Sequence, residues 1–245
     1  MRIQVLTLFP DMLTPVIGDS ILGRAREKGL LDIETFDIRS FAANKHKKTD
    51  DYPFGGGAGM VLTPQPVFDA LDSLGTDGKR LVYMSPRGRL LNQELVTELA
   101  HEETLLLLCG HYEGLDQRVT DHFGFEEISV GDYILTGGEI PAMVLIDAVT
   151  RVLPEALGNP RAHDEESICS GLLEYPQYTR PGAFRGMDAP EVLLSGDHKR
   201  IRLWKFEESL KLTMDRRPDL FDRFLERRDS LDKDEKRILE RLLAE

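Results

Sequence analysis

Short apolar runs alternate with amphipathic stretches along the first 150 residues, and this alternation predicts the fold class. The apolar runs predict strands near Ile3–Leu8, Ile33–Ile38, Leu81–Ser85, Leu105–Cys109 and Glu127–Val130. The amphipathic stretches predict helices near Ser20–Lys28, Pro66–Leu74, Asn92–Ala100, Leu115–His122 and Pro141–Val152. The run LLLLC has no polar alternation, as expected for a strand that is covered on both faces. Strands that alternate with helices indicate an α/β domain with a largely parallel sheet.

Glycine-rich segments follow three of the predicted strands. These segments are SPRG (85–88), GHYEG (110–114) and GDYILTGGEIP (131–141), and a fourth, FGGGAGM (54–60), lies upstream. Ligands of parallel sheets bind beside the carboxyl ends of the strands, where glycine allows the backbone to approach them closely. The same glycines also suit ordinary tight turns. None of the segments fits a phosphate-binding fingerprint, so the pattern favours a nucleoside or a cofactor with an uncharged backbone over a nucleotide.

The C-terminal part of the chain predicts a small helical domain. A stripe that is typical of a core runs at helical spacing through Leu220, Phe221, Phe224 and Leu225. Trp204 is interpreted as a packing residue. The preceding segment HDEES has the composition of a solvated, flexible linker. The pattern therefore divides the chain into an α/β domain (1–160), a linker (161–176) and a helical domain (177–245).

The composition is that of a globular protein. The 245 residues are 41% hydrophobic and 30% charged, which is enough for one large core or two smaller ones. The longest apolar runs are too short to cross a bilayer, and Pro10 and Asp11 interrupt the N-terminal apolar stretch before a signal-peptide core forms. Cys109 and Cys169 lack C-x-x-C spacing, so neither a disulfide framework nor a zinc site is indicated. We expect a cytoplasmic protein with two reduced thiols, no metal site built by the protein and no membrane partner.

The charge distribution leaves two interpretations open. A net charge of −12 argues against a polyanionic partner for the chain as a whole. Between Lys199 and Arg217, however, seven Lys and Arg residues stand against three acidic residues. Such a segment is often a solvated helix face. It is also the kind of basic strip that binds phosphates on an acidic protein.

Six motifs resemble, in order and spacing, those of the bacterial tRNA (guanine-N1)-methyltransferase family. They are DDYPFGGGAGM (50–60), YMSPRGR (83–89), CGHYEGLDQR (109–118), VGDYILTGGEIPAM (130–143), LLEYPQYTRP (172–181) and VLLSGDHKRIRLW (192–204). The resemblance covers essentially the whole chain. It implies a SPOUT-type α/β fold, with a parallel sheet and a deep trefoil knot at the cofactor site, followed by a small all-helical C-terminal domain. It also implies a homodimer in which the linker and small domain of one subunit close over the cofactor of the other.

The resemblance implies that S-adenosyl-L-methionine binds among the glycine segments. The positions that match the family's cofactor site are Pro86, Gly110, Tyr112, Glu113, Gly114, Tyr133, Ile134, Leu135, Gly137, Gly138 and Pro141. Backbone groups beside glycine can meet the edges of adenine, and the Glu113 carboxylate can meet the cationic end of the ligand. For each tyrosine, core packing with a satisfied hydroxyl is the alternative. A bulky side chain at Gly138 is expected to fill the cofactor space.

The methyl acceptor of this family is N1 of the guanosine immediately 3′ of the anticodon in tRNA. N1 of neutral guanine carries a proton, so a carboxylate base and an arginine that stabilises charge on O6 form the logical pair. The resemblance implies Arg151 as this arginine and the residue before Ser167 as the base. In HDEESICSG that residue is Glu166, where the family has Asp, and Ile168 stands where an aromatic residue is usual. Because glutamate has one more methylene, the linker must shift to keep its oxygen within hydrogen-bond reach.

The macromolecular partner that the resemblance implies is tRNA, bound through its anticodon stem-loop. The residues assigned to tRNA binding are Asp164, Ser167, His198, Lys199, Arg200 and Arg202. The resemblance also implies that a divalent ion, Mg²⁺, assists the reaction. Two alternatives from other classes stay open: a non-catalytic RNA-binding protein that keeps the fold, and a nucleotide-sensing regulator with a helical DNA-binding tail. The departure at Glu166 keeps the first of them open.

Overall fold

The computed structural model describes residues 1–157 and 167–244. The chain divides into two compact units, Met1–Pro160 and Arg161–Glu245. No helix in the described part of the chain is both long enough and apolar enough to span a membrane.

The first unit is built on a parallel sheet, as the alternating pattern predicts. Its strands are β1 (Arg2–Thr7), β2 (Asp32–Asp37), β3 (Asp50–Asp51), β4 (Val61–Leu62), β5 (Arg80–Leu90), β6 (Thr104–Cys109) and β7 (Glu126–Ser129). Five of them form the sheet in the order β2-β1-β6-β5-β7, and every neighbouring pair in it is parallel. The short strands β3 and β4 form a separate antiparallel pair. The carboxyl ends of β6 and β7 therefore lie on either side of the middle of β5.

Helices cover both faces of this sheet. They are α1 (Pro10–Ile17), α2 (Ser20–Glu27), α3 (Pro64–Leu74), α4 (Gln93–Ala100), α5 (Gln117–Phe123), α6 (Glu139–Val152) and the 3₁₀ segment Ile38–Phe41. One core lies beneath α1, α2, α4 and α6, and the other lies beneath α3, α5 and the 3₁₀ segment. Strand β6 supplies both cores, the first from Leu105, Leu107 and Cys109 and the second from Leu106 and Leu108. All five side chains are fully buried, which is why LLLLC has no polar position.

Strand β5 extends beyond its predicted end at Ser85. Both Met84 and Arg89 pair with Ile128 of β7, so residues 85–88 form a bulge inside the strand. The interpretation of SPRG as a loop at the end of a strand was therefore wrong. A Cβ atom at Gly88 would lie 2.3 Å from the β7 backbone, so the strand resumes only because glycine permits this close contact. Pro and Gly are turn signals in the sequence, but pairing with β7 continues the strand.

Helix α1 is not predicted by the sequence pattern, because Pro10 and Pro15 are helix breakers. Pro10 occupies the first turn, where its missing N–H has no helical partner to lose. Leu13 and Ile17 lie one turn apart and pack into the first core. This burial outweighs the hydrogen bond that is lost at Pro15.

The described part of the second unit is mainly helical. Its helices are α7 (Glu191–Leu194), α8 (His198–Arg216), α9 (Pro218–Leu225), α10 (Lys233–Ala244) and the 3₁₀ segment Arg228–Ser230. The expectation of an all-helical domain was wrong in one detail, because β8 (Ala183–Phe184) and β9 (Met187–Asp188) form an antiparallel hairpin. Its two-residue turn, Arg185–Gly186, has positive φ at both positions, as this type of hairpin requires.

The core of the second unit contains the predicted apolar stripe. Phe221 and Phe224 pack with Leu210 of α8 and with two leucines of α10. Leu172 belongs to the same core, and its neighbour Leu173 donates a backbone hydrogen bond to Thr213 Oγ1 at 2.8 Å. Packed structure in this unit therefore begins inside the segment that the sequence assigned to the linker. The domain boundaries themselves stay a prediction.

Candidate functional site

A cavity of about 300 Å³ lies in the first unit beside the bulge of β5 and the carboxyl ends of β6 and β7. Three segments form its wall: the bulge of β5, the loop after β6, and the loop that joins β7 to α6. All the residues assigned to cofactor binding line this cavity, namely Pro86, Gly110, Tyr112, Glu113, Gly114, Tyr133, Ile134, Leu135, Gly137, Gly138 and Pro141. The structure thus brings residues from three sequence motifs to one place.

Gly110 and Gly138 hold two of these segments in direct contact. The Gly138 N–H donates a hydrogen bond to the Gly110 carbonyl oxygen at 2.8 Å. A Cβ atom at Gly138 would lie 2.7 Å from Cys109 Cα and 2.8 Å from the Gly110 nitrogen. The expectation that a larger residue at Gly138 fills the ligand space was therefore wrong, because its side chain would meet the end of β6. Glycine is needed here so that α6 can begin against that strand.

The loop after β6 has an unusual backbone. Tyr112 has a φ of 61° and Gly114 a φ of 125°, both in the region that disfavours side chains. Backbone hydrogen bonds fix this shape, since the Glu113 N–H donates to Met60 O at 2.9 Å and the Leu62 N–H donates to Gly114 O at 2.9 Å. The fourth glycine segment, 54–60, therefore ends against the cavity loop. A non-glycine residue in a strained conformation beside a cavity is typical of a ligand-binding site.

The loop from β7 to α6 leaves apolar side chains exposed. Tyr133 is 57% exposed, and Ile134 is 80% exposed. The Tyr133 hydroxyl donates to the Val130 carbonyl oxygen at 3.2 Å, so its ring folds back over its own loop. Core packing, the alternative for each tyrosine, does not apply at Tyr133 or at Tyr112, which is 44% exposed. Apolar surface at the rim of a cavity favours ligand contact.

Tyr83 is a lining residue that the sequence analysis did not assign. It is nearly buried on β5, and a Cβ atom at Gly110 would lie 2.7 Å from its hydroxyl oxygen. Burial and, to a smaller extent, the charge of Glu127 raise the pKa of Tyr83, which keeps the phenol neutral. The motif YMSPRGR contained this residue, but one tyrosine in an apolar strand gives no signal that separates packing from binding. The other unassigned lining residues are Met84, Ser85, Arg87, His111, Leu115, Ile128, Ser129, Val130, Gly131 and Thr136.

The charged groups near the cavity have different environments. Arg87 forms an ion pair with Glu127 at 2.9 Å, whereas Glu113 lines the cavity from an exposed position. Glu139, at the start of α6, is buried and accepts a hydrogen bond from Thr7 Oγ1 at 2.6 Å. Burial, and secondly the charge of Glu139, raises the pKa of the Cys109 thiol well above its usual value. Glu113 is therefore the carboxylate of this group that a ligand can reach from solvent.

The predicted catalytic residues are only partly described. Arg151 lies in the last turn of α6, ten residues beyond Pro141, which corresponds to roughly 15 Å along the helix axis. Glu166 and Asp164 lie outside the described residues. Ser167 accepts a hydrogen bond from the Glu174 N–H at 2.9 Å. The first unit of one chain therefore places its cavity at one end of α6 and Arg151 at the other.

An exposed apolar surface lies on α1 and α6, which pack side by side. Met12 and Val16 of α1 are 44% and 42% exposed, and Ile140 and Val144 of α6 are each 46% exposed. Each pair is spaced by one helical turn, so all four side chains project from the outer side of the two helices. We call this surface the α1–α6 face.

The basic residues of α8 differ in their partners. Lys199 Nζ lies 2.6 Å from an oxygen of Asp234, and a guanidinium nitrogen of Arg202 lies 2.7 Å from an oxygen of Asp232. Hydrogen bonds to these carboxylates raise the pKa of Lys199 and of Arg202. His198 and Arg200 are exposed, and no acidic group in residues 1–157 or 167–244 lies within ion-pair distance of either. The sequence could not show that acids at the start of α10 face this strip.

Comparison with known proteins identifies the family. The family model described as "tRNA (Guanine-1)-methyltransferase TrmD" matches residues 1–223. The tRNA (guanine-N(1)-)-methyltransferase of Alkaliphilus metalliredigens (strain QYMF) is 54% identical over 225 residues, 90% of this chain and 91% of that protein. The enzyme of the same name from Bacillus cereus (strain B4264) is 51% identical over 248 residues, 100% of both chains. With its glycine-lined cavity and its match over nearly the full length, this chain belongs to the tRNA (guanine-N1)-methyltransferase family.

Proposed function

We propose that this protein transfers a methyl group from S-adenosylmethionine to N1 of the guanosine immediately 3′ of the anticodon in tRNA. Membership of the family supports guanine-N1 methylation of tRNA. The structural observation that carries the proposal is that every residue assigned to the cofactor lines one cavity at the strand ends. A tRNA substrate also implies a cytoplasmic enzyme.

The residues of the cavity fit S-adenosylmethionine. Gly110 and Gly138 keep backbone groups at the wall, where they would meet the donor and acceptor edges of adenine. Ile134 and Leu135 would cover the apolar faces of the nucleoside, and the Glu113 carboxylate would meet the cationic end of the ligand. The bound cofactor supplies an electrophilic methyl group. A volume of about 300 Å³ is at the lower end of the range of small-molecule pockets.

Glu166 is the general base in the proposed reaction. It accepts the N1 proton of guanine, and the negative charge that remains is shared with O6. Arg151 stabilises that charge through its N–H groups, as a charge-assisted donor does. Ser167 directly follows the base and accepts a hydrogen bond from the Glu174 N–H within the second unit.

A homodimer with a shared site completes the proposal. The cavity and Arg151 lie at opposite ends of α6. The Arg151 that acts at a given cavity would therefore come from a second copy of the chain. The α1–α6 face supplies apolar surface for that contact. A deep trefoil knot at the cofactor loops is proposed from the family. Mg²⁺ stays a prediction of the resemblance, since no cluster of three His, Cys, Asp or Glu residues within 1–157 and 167–244 could hold a metal ion.

The test is methyl transfer from tritiated S-adenosylmethionine to transcribed tRNA. Transcripts with and without guanosine at the target position should differ, with incorporation only into the former. Glu166→Gln should lose about 10²–10⁴-fold in single-turnover rate, the usual value of a positioned base, while tRNA and cofactor affinities change little.

Two neighbouring acids serve as controls for this test. Asp164→Asn and Glu165→Gln should lose much less activity, because the resemblance assigns the base to the position directly before Ser167. If Asp164→Asn causes the largest loss of activity, Asp164 and not Glu166 is the general base. RNA binding without methyl transfer would favour the non-catalytic alternative, and a preference for duplex DNA over tRNA would favour the regulator.

A further inference from the structure

The second unit contains a cluster of three aromatic rings. Tyr175 and Tyr178 lie on the segment before the β8–β9 hairpin, and Trp204 lies on α8. The ring centroid of each tyrosine is 6.4 Å from that of Trp204. The Lys205 ammonium lies 4.5 Å from the centre of the Tyr175 ring. One face of that ring is therefore already in contact with a cation of the protein.

Tyr178 differs from the other two rings because it remains open to solvent. Its exposed fraction is 50%, whereas Tyr175 and Trp204 are only partly exposed. Trp204 supports the Tyr178 ring at a tilt of 58°. An exposed aromatic ring that is held in place by a second ring is suited to stack a flat ligand at a low cost in side-chain entropy.

The charge beside this ring favours a nucleic acid as the ligand. Arg200 precedes Trp204 by four residues on α8, so the two side chains occupy the same face at a spacing of about 5–6 Å between Cβ atoms. The Arg200 N–H donates to the Asp197 carboxylate at 3.1 Å, but among the described residues the Arg200 side chain forms no ion pair, in contrast to Lys199 and Arg202. Its guanidinium is therefore available to a phosphate on the Trp204 side of the aromatic cluster. Asp234 and Asp232, which pair with Lys199 and Arg202, form no ion pair with Arg200.

We propose that Tyr178, supported by Trp204, stacks an unpaired base of the RNA substrate, and that Arg200 binds a phosphate next to that base. Unpaired bases stack on aromatic side chains, whereas bases inside a duplex are not available for such contacts. The loop of an anticodon stem-loop therefore fits this surface, and its stem does not. The inference rests on the proposed function, because that function makes a tRNA loop the substrate.

Trp204 makes the inference testable in the unmodified protein. It is the only tryptophan in the chain, so tryptophan emission, excited selectively over that of the six tyrosines, reports on this cluster alone. Titration with an anticodon stem-loop RNA should change the Trp204 emission, and titration with a blunt RNA duplex of equal charge should not. An emission that stays constant at saturating stem-loop, while methyl transfer to tRNA proceeds, overturns the inference and leaves the proposed function intact.

Substitutions at Tyr178 separate stacking from other roles. Tyr178→Ala should weaken stem-loop binding by about 5- to 150-fold, the usual effect of losing one stacked base, and Tyr178→Phe should bind like the parent. Phe184→Ala is the matched control, because Phe184 is 55% exposed in the same unit but the Arg185 guanidinium lies over its ring. Its affinity should not change.

Arg200→Gln tests the phosphate contact separately. It should lower the slope of log affinity against log salt by about 0.7, the effect of one single-strand phosphate contact. Affinity for S-adenosylmethionine should stay at the parental value in all these variants. Equal weakening by Tyr178→Phe and Tyr178→Ala would show that the hydroxyl, not the ring, matters. If the parent protein neither binds nor methylates tRNA, the proposed function itself is refuted.

Discussion

Replacing Gly138 with alanine would place a Cβ atom 2.7 Å from Cys109 Cα and 2.8 Å from the Gly110 nitrogen. Both neighbours are backbone atoms at the buried end of β6, so neither can rotate away as a side chain could. The start of α6 must move instead, and this strains the hydrogen bond from the Gly138 N–H to Gly110 O. Since both glycines line the cavity, the movement changes the shape of its wall.

The size of the effect follows from two opposing contributions. Overpacking of this kind costs about 1–3 kcal/mol, and the reduced backbone freedom of alanine in the unfolded chain offsets about 0.4–1 kcal/mol. A net loss of about 1–2 kcal/mol lowers Tm by roughly 2–8 °C in a chain of this size. We expect the affinity for S-adenosylmethionine to fall at least about tenfold, which corresponds to about 1.4 kcal/mol.

Calorimetry measures both quantities, by thermal unfolding and by cofactor titration. Gly182→Ala is the control, because its Cβ atom would meet Leu194 Cδ1 at an ordinary 3.6 Å and its φ is not positive. That variant should keep the parental Tm and the parental Kd. A Gly138→Ala protein with an unchanged Tm and Kd would refute the claim that contact between these backbones shapes the cavity. A lower Tm with an unchanged Kd would place the cofactor elsewhere.

Two further predictions concern charges and thiols. Asp234→Asn should strengthen stem-loop binding and steepen its salt dependence by about 0.7–0.9 in slope, because Lys199, which is held in a 2.6 Å ion pair with Asp234 in the parent, becomes available to a phosphate only in the variant. Binding titrations over a range of salt concentrations measure this slope, and an unchanged slope would mean that Lys199 makes no phosphate contact. The Cys109 thiol should resist iodoacetamide at mildly alkaline pH until the protein unfolds, since burial raises its pKa and the thiolate is the reactive form. Mass spectrometry identifies the modified residue, and rapid labelling of Cys109 in the folded protein would contradict its burial.

Local patterns in the sequence predicted the sheet well and its irregularities poorly. The five predicted strands all occur, because apolar runs such as Leu105–Cys109 can be buried on both faces only in a covered sheet. The extension of β5 past Ser85 depends on pairing with β7, which is distant in the chain. Helix α1 forms despite Pro15 because Leu13 and Ile17 reach the core. Both features result from tertiary contacts that outweigh local propensity.

The sequence likewise predicted some residues of the candidate site and missed others. Motifs rich in glycine identified the cavity wall, since glycine marks positions where backbones must come close. Tyr83 was missed because its proximity to Gly110 depends on the pairing of β5 with β6. The partners of the basic strip were missed for a related reason, since Asp232 and Asp234 lie about thirty residues after it and meet it only in the folded unit. Patterns of residue type predict what a segment can do, whereas its partners are set by the fold.

The geometry of α6 gives the proposed dimer a specific arrangement. The helix begins at the cavity wall and ends with Arg151 in its last turn, and Val144 lies exposed near its midpoint. A two-fold axis that crosses the α1–α6 face near Val144, perpendicular to α6, would make the two copies of the helix antiparallel. The end of one α6 would then lie beside the beginning of the other. In that arrangement Arg151 of each copy would reach the cavity of the other copy, whereas it lies roughly 15 Å along the helix axis from the cavity of its own chain, so each dimer would contain two cavities that are each supplied with an arginine.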